Sequence, residues 1–151
     1  MNNHEVFVDQ NRSAILKLPA VAAFVALAGL ADSVYLTVKH FTAEPVPCSI
    51  LEGCEQVLTS SYAEMFGVPT AAFGIAAYLL AFILACLTAF GNRRMWTPFG
   101  ALVVVMAIFT AWLIYLQGYV IEAFCQFCLI SAATTLTLLL IFLASKVVHS
   151  K

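Results

Sequence analysis

The chain has 151 residues and a formal net charge of −1, and it is too apolar to form a soluble domain. Hydrophobic residues make up 63% of the chain and charged residues 10%, whereas soluble domains average about 45–50% apolar and about 25% charged residues. The composition therefore excludes an ordinary soluble fold and predicts an integral membrane protein. The net charge suggests no nucleic-acid partner.

Four apolar segments follow one another along the chain, at residues 18–38, 68–90, 97–119 and about 125–147. A helix of about 20 apolar residues crosses the hydrocarbon core of a bilayer, and inside lipid a helix satisfies its own backbone hydrogen bonds. The first segment could instead be a cleaved secretion signal, although its apolar run is long for one. We therefore predict an all-α integral membrane protein with a bundle of four transmembrane helices.

The basic residues indicate how the bundle is oriented. Lys39 lies in the predicted outer loops, whereas the other lysines and arginines flank the opposite ends of the spans: Arg12, Lys17, Arg93, Arg94, Lys146 and Lys151. By the positive-inside rule, both termini are cytoplasmic, and loops 39–67 and 120–124 face outward. This predicts a multi-pass membrane protein whose long loop lies on the outer side of the membrane, which would be the lumenal side in the endoplasmic reticulum.

The long outer loop carries a helical pattern of its own. Apolar positions in residues 55–66 are compatible with a short amphipathic helix that ends at Gly67. Pro69 stands where the first position of the next helix should be, and proline costs no hydrogen bond there. No internal repeat, low-complexity segment or linker divides the chain, so we expect residues 1–151 to form one domain.

Four of the five cysteines lie on the predicted outer side. Cys48 and Cys54 belong to the long loop, and Cys125 and Cys128 form a Cys-Gln-Phe-Cys motif at the outer end of the fourth span. Disulfides persist on that side of a membrane, and the two pairs meet on one face, as electron transfer between them would require. Cys86 lies near the cytoplasmic end of the second span, where we expect a small packing residue.

The Cys-x-x-Cys motif is well placed for thiol chemistry. Cysteines three residues apart share one helix face, and the positive end of the helix dipole stabilises a thiolate, the nucleophile of disulfide exchange. Cys125 is nearer the aqueous surface, and Cys128 lies one turn deeper, where a lipid-soluble quinone could reach it. This order predicts electron flow from a protein partner to the loop pair, then to Cys125 and Cys128, and finally to a quinone.

Two non-catalytic interpretations of these cysteines are alternatives to the electron relay. The four cysteines could form two inert stabilising disulfides, or they could hold one metal ion. Structural zinc sites typically combine two short Cys-x(2–4)-Cys elements, and the gap between Cys48 and Cys54 is longer than that. We therefore expect no metal site.

Taken together, these residues resemble the vitamin K epoxide reductase family, particularly its bacterial members that make disulfides. The resemblance to bacterial members implies a location in a bacterial inner (cell) membrane, with the endoplasmic reticulum as the alternative. The resemblance covers roughly residues 15–147 and rests on Cys48, Cys54, Val57-Leu58-Thr59-Ser60-Ser61, Phe73-Gly74, Tyr78 and Cys125-Gln126-Phe127-Cys128. The family fold is a four-helix bundle that encloses a quinone, with the loop between the first two spans covering its outer mouth.

The resemblance implies a role for each matching residue. Cys48 would receive electrons from a thioredoxin-like (DsbA-like) partner through a mixed disulfide, Cys54 would then form a disulfide with Cys125, and Cys128 would contact ubiquinone or menaquinone. Ser60 matches a Ser/Thr near the family's active site, where a hydroxyl could help to move a proton. Because the chain ends at Lys151, without the thioredoxin-like domain fused to many bacterial members, we expect the partner to be a separate protein.

Two departures from the family pattern bear on the substrate. Ile130-Ser131-Ala132-Ala133 stands where animal members carry Thr-Tyr-Ala, and Thr70 replaces the asparagine that often precedes Phe-Gly. Both argue against epoxide reduction and leave quinone reduction untouched. The alternatives are a thiol-driven reductase of vitamin K epoxide or quinone, and a non-catalytic membrane scaffold held by two disulfides.

Polar residues inside the spans are the remaining candidates for quinone contacts. Asp32 lies within the first span, where a carboxyl usually faces a polar interior or a cavity. It could belong to a proton path, or it could hydrogen-bond a neighbouring helix or approach the headgroups. Tyr35 and Tyr78 could orient a quinone carbonyl or serve as packing residues. We expect the quinone contacts to come from Cys128, Tyr78, Phe73, Thr70 and Asp32.

Overall fold

The computed structural model describes residues 3–50 and 53–149, with the side chains of residues 3–16 and 149 excepted. Within these residues, four helices are long and apolar enough to cross a membrane, with spans at Lys17–Thr42, Thr70–Ala89, Arg93–Val120 and Gln126–Val148. This confirms the predicted four-helix membrane bundle. The ends of these spans lie within a few residues of the predicted ends.

The regular elements follow the chain in a simple order. Helix α1 covers Asn3–Thr42 and is followed in the outer loop by a five-residue helix, α2. From α2 onward, the elements are α2 (Cys54–Leu58), strands β1 (Glu64–Met65) and β2 (Val68–Pro69), α3 (Thr70–Ala89), a 3₁₀ turn (Arg93–Met95), α4 (Trp96–Tyr115), a π-helical turn (Leu116–Val120) and α5 (Gln126–His149).

The bundle is packed most tightly in the half that lies away from the long loop. Helix α1 packs mainly against α3 and also against α5, and α4 packs against α5 and α3. The buried side chains of this half form one core cluster: Ala22, Ala23, Ala26, Tyr78, Ala81, Ala85, Phe99, Val103, Met106 and Leu138. Many of them are alanines, and small residues allow helices in a membrane to approach closely.

Helices α1 and α3 approach each other closely at Gly29. A Cβ atom at this position would overlap the ring of Tyr78 on α3. The missing side chain therefore lets Tyr78 lie flat against α1, where only 2% of it is exposed. This contact fixes the position of Tyr78 in the middle of the bundle.

The outer loop contains the predicted short helix, but that helix ends at Leu58 instead of continuing to residue 66. The hydroxyls of Thr59 and Ser60 donate hydrogen bonds to the carbonyls of Glu55 and Val57, at 2.6 and 2.7 Å. Such side-chain bonds compete with the continuation of a helix.

The residues that follow form an antiparallel hairpin, in which β1 pairs with β2. Its turn is Phe66-Gly67, and both residues have positive φ, at 57° and 77°, as a two-residue hairpin turn of type I′ requires. Pro69 belongs to β2 and caps α3 with extended geometry, so the helix begins at Thr70, one residue later than predicted.

Candidate thiol relay and cavity

The four cysteines of the predicted relay lie together at the loop end of the bundle. Cys48 and Cys54 are joined by a disulfide, whereas Cys125 and Cys128 are not disulfide-bonded. Cys54 and Cys125 are 1% and 0% exposed, and they pack in one buried cluster against which Cys48 and Cys128 are partly buried. The structure thus joins Cys48 to Cys54 and brings both close to the Cys-x-x-Cys motif. A Cys54–Cys125 bond stays a prediction for another redox state.

Gln126 ties the loop pair to the first turn of α5. Its backbone N–H donates a hydrogen bond to Sγ of Cys54 at 3.3 Å, and its side-chain Oε1 accepts one from the N–H of Ile50 at 3.3 Å. Gly53 allows this close approach, because a Cβ atom there would lie 2.9 Å from the backbone N and O of Phe124. Sequence reasoning gave Gln126 no role, although it lies between the two motif cysteines.

Cys125 acts as the N-terminal cap of α5. Its Sγ accepts a hydrogen bond from the N–H of Cys128 at 3.4 Å, which satisfies one of the backbone donors that a helix start leaves open. Its own N–H donates to Oε1 of Gln117 at 3.0 Å. Gln117 is only 3% exposed and lies in the π-helical turn. The sequence analysis did not identify Gln117, although a polar residue within an apolar membrane segment usually has a specific hydrogen-bonding or functional role.

The surroundings of Cys125 favour its thiolate. A hydrogen bond from the Cys128 thiol is the largest influence, and it lowers the pKa of Cys125 to about 7. The backbone N–H groups of Phe127 and Cys128 act in the same direction, whereas burial and the charge of Asp32 oppose them. The thiolate is the nucleophile of disulfide exchange, so Cys125 is the reactive member of the inner pair near neutral pH.

A cavity of about 410 Å³ opens beneath the relay, between the four long helices and the hairpin loop. This volume lies in the range of small-molecule sites, about 300–1,000 Å³. Apolar side chains from α3 and α4 make up much of its wall. The wall also includes every residue predicted to contact a quinone, together with Ser60: Cys128, Tyr78, Phe73, Thr70, Asp32 and Ser60. Their roles stay predictions, but the structure places all six on one surface.

Tyr78 brings a cluster of hydroxyl groups to this wall. Its phenol lies 2.8 Å from the carbonyl oxygen of Ser131, 3.0 Å from the Ser131 hydroxyl and 2.8 Å from the Thr135 hydroxyl. The aromatic hydroxyl that α5 lacks after its Cys-x-x-Cys is therefore supplied to the same region by α3. Tyr35, the other tyrosine considered, instead packs its ring 5.1 Å from that of Phe127.

Asp32 presents the least satisfied polar group at the cavity. It lines the wall, and its Oδ2 is shielded from solvent without a hydrogen-bond partner in the part of the chain that the structure describes. A hydrogen bond to a neighbouring helix therefore does not account for this oxygen, and the role of Asp32 stays a prediction.

Polar contacts close the loop over the outer mouth of the cavity. Nε2 of His40, at the end of α1, lies 2.9 Å from Oε1 of Glu64 on β1. At the start of α3, the N–H of Thr70 donates to the carbonyl of Ala63 at 2.8 Å, and its hydroxyl donates to the carbonyl of Tyr62 at 3.1 Å. These hydrogen bonds hold the hairpin over the outer mouth of the cavity. The hydroxyl proton of Thr70 is used in one of them.

Fold and site together define a multi-pass membrane protein in which a disulfide and a pair of thiols lie beside a largely apolar cavity. Residues 20–143 match the sequence model of the Vitamin K epoxide reductase family. The chain belongs to this family of membrane thiol oxidoreductases, as the resemblance predicted. Members of the family generally use quinones, and they typically work with thioredoxin-like partners.

Proposed function

We propose that the protein is a quinone-dependent thiol–disulfide oxidoreductase that reoxidises a separate thioredoxin-like protein and so drives disulfide formation in exported proteins. The observation that carries the proposal is the spatial order of the four cysteines, from half-buried Cys48 through buried Cys54 and Cys125 to Cys128 on the cavity wall. The proposed location is a bacterial inner membrane, with both termini cytoplasmic and the relay on the outer face.

The first exchange takes place at the accessible end of the relay. A thiolate of the reduced partner attacks Sγ of Cys48, which breaks the Cys48–Cys54 bond and releases Cys54 as a thiolate. The N–H of Gln126 already points at Cys54 Sγ and stabilises that charge, as the positive end of a helix does. The second partner thiolate then displaces Cys48, so the partner leaves as a disulfide and the loop pair holds its two electrons.

The second exchange passes these electrons inward. The Cys54 thiolate attacks Cys125 of an oxidised Cys125–Cys128 pair and releases Cys128, and the Cys48 thiolate then attacks Cys54 and releases Cys125. The loop disulfide is restored and the inner pair is reduced. This is the pairing in the structure, in which Cys48 is bonded to Cys54 while Cys125 and Cys128 are thiols.

The residues of the cavity fit a quinone head group. The apolar wall suits a lipid-soluble ring, and polar groups stand at two places, the Tyr78 hydroxyl cluster and the unpaired Oδ2 of Asp32. The hydroxyl cluster of Tyr78, Ser131 and Thr135 would orient a carbonyl, and Phe73 and Thr70 would contact the ring. Ubiquinone or menaquinone, when bound, accepts two electrons and two protons and thereby restores the Cys125–Cys128 disulfide.

One assay tests the proposal. Purified protein in lipid nanodiscs is mixed with oxidised ubiquinone or menaquinone and a reduced thioredoxin-like protein, and both quinol formation and thiol loss are followed. We expect one quinol for every two thiols oxidised. Cys48→Ser, Cys54→Ser, Cys125→Ser and Cys128→Ser should each stop turnover, whereas Cys86→Ser should not. Thiol oxidation without quinone consumption would contradict the proposal.

The same preparation separates the alternative activity. If the protein is instead a reductase of vitamin K epoxide, the epoxide should be consumed at the expense of thiols at a rate comparable with quinone. The replacement of the family's Thr-Tyr-Ala by Ser131-Ala132-Ala133 favours quinone. A protein that consumes neither substrate but keeps all its cysteines oxidised would be the static scaffold.

A further inference from the structure

Asp32 is a carboxyl group within a membrane span, and its side chain lines the cavity. No lysine or arginine is found among the described residues that line its cavity. Lys39, on the same helix, is instead paired with Glu44 at 2.7 Å. A carboxyl inside a membrane is costly, and such groups commonly mark proton pathways.

The titratable groups around Asp32 come from each side of the cavity. Helix α1 contributes His40, α3 contributes Tyr78, α5 contributes Cys128 and the loop contributes Tyr62, whereas the α4 lining is free of titratable side chains. Asp32 and His40 occupy one face of α1, eight residues and roughly 12 Å apart. His40 lies at the outer mouth of the cavity beside Glu64. Asp32 therefore lies deeper in the cavity than His40.

Building on the proposed function, we infer that Asp32 carries the proton of the Cys128 thiol to the quinone. As the Cys125–Cys128 disulfide forms, the S–H bond of Cys128 breaks and its proton passes to the Asp32 carboxylate. The two electrons of the pair and this proton leave with the quinone. The second proton is the one that Cys125 gave up on becoming a thiolate, and it returns from solvent through the mouth. The sum is two electrons and two protons.

The proposed role accounts for the oxygen of Asp32 that has no partner among the described residues. A carboxylate fixed by an arginine or by several N–H donors would hold its charge and would release or accept a proton poorly. The shielded Oδ2 without a partner leaves one oxygen available for transfer. The Tyr78 hydroxyl, in contrast, is surrounded by Ser131 and Thr135 and is suited to orient a ligand.

The first test needs no quinone. Infrared difference spectra are recorded between the protein with Cys125 and Cys128 reduced and the protein with that pair oxidised. Oxidation of the pair in the absence of quinone leaves the Cys128 proton on Asp32, so we expect a carboxylic acid signal to appear on oxidation in the wild type and to be absent in Asp32→Asn. Glu44→Gln, which removes a carboxylate outside the cavity, should keep the signal. Identical spectra of the wild type and Asp32→Asn would overturn the inference.

The second test uses quinone turnover and its pH profile. Asp32→Asn should lower kcat by about 100-fold, a typical contribution of acid–base catalysis, with KM for quinone little changed. Asp32→Glu should recover a large part of kcat with a shifted pH profile, which a purely structural role would not produce. An unchanged kcat in Asp32→Asn would overturn the inference while the quinone proposal stands. An Asp32-dependent infrared signal without any quinone reduction would instead refute quinone as the acceptor.

Discussion

The backbone N–H of Gln126 donates a hydrogen bond to Sγ of Cys54 at 3.3 Å, and this bond joins the loop disulfide to the first residue of α5. The same residue also holds the loop through its side chain, since Oε1 accepts the N–H of Ile50. One residue therefore sets the approach of the outer pair to the inner pair, and its two contacts can be separated by mutation because only one of them uses the side chain.

The first prediction concerns this side-chain contact. Gln126→Ala removes the acceptor for Ile50 and keeps the backbone N–H, so the loop should dock less firmly. A neutral hydrogen bond contributes about 1 kcal/mol, which corresponds to a roughly fivefold change in an equilibrium. We expect transfer between the loop pair and the inner pair to slow by about that factor in stopped-flow experiments. Gln56→Ala, on the exposed face of α2, is the matched control, and equal rates for both variants would contradict the assignment.

The second prediction follows from the pKa of Cys125. Because that pKa is lowered to about 7, the thiolate forms as the pH rises through 7, and alkylation of Cys125 should increase over the same range. Because burial of Cys125 slows alkylation by the same factor at every pH, the quantity to compare is the pH midpoint of the alkylation rate. In Cys128→Ala, the largest stabilising hydrogen bond is lost and the midpoint should move to higher pH. Mass spectrometry of iodoacetamide-treated protein measures this.

A cysteine elsewhere in the bundle provides the control for that experiment. Cys86 lies beside the tightly packed core rather than in the relay, so Cys86→Ala should leave the alkylation midpoint of Cys125 where it is in the wild type. A midpoint that is the same in Cys128→Ala would show that Cys128 does not stabilise the thiolate.

The third prediction tests the contact that positions Tyr78. Gly29→Ala places a methyl group where the Tyr78 ring lies, and overpacking costs about 1–3 kcal/mol. Alanine is favoured over glycine in a helix by about 1 kcal/mol, so the steric cost should outweigh the gain and lower the thermal stability. At Gly118 an added Cβ would meet Phe124 at an ordinary 3.6 Å. Gly118→Ala should therefore not show this loss, and equal stabilities of the two variants would speak against the contact.

The features predictable from the sequence are those encoded within one segment. Apolar length predicted the four spans, and the spacing of Cys125 and Cys128 predicted a thiol pair at a helix start. The hairpin after Leu58 was not predicted, because it depends on hydroxyl bonds to the backbone and on positive φ at Phe66. The roles of Gln117 and Thr135 were also missed, since each becomes visible only through a partner that another segment supplies.

The last prediction concerns which inner cysteine exchanges with the loop. Cys54 Sγ accepts the N–H of the residue next to Cys125, and both sulfurs lie in one buried cluster, whereas Cys128 lies on the cavity wall. With Cys48 removed, Cys54 cannot be resolved by its loop partner and should remain bonded to the sulfur that it reaches. The double variant Cys48→Ala/Cys128→Ser should therefore accumulate a Cys54–Cys125 disulfide under mild oxidation, and Cys48→Ala/Cys125→Ser should accumulate little Cys54–Cys128. Non-reducing peptide mapping distinguishes the two links, with Cys86→Ser added to both variants to exclude exchange through the fifth cysteine. Equal yields would mean that Cys54 reaches both sulfurs, and the order Cys54, Cys125, Cys128 would then be wrong.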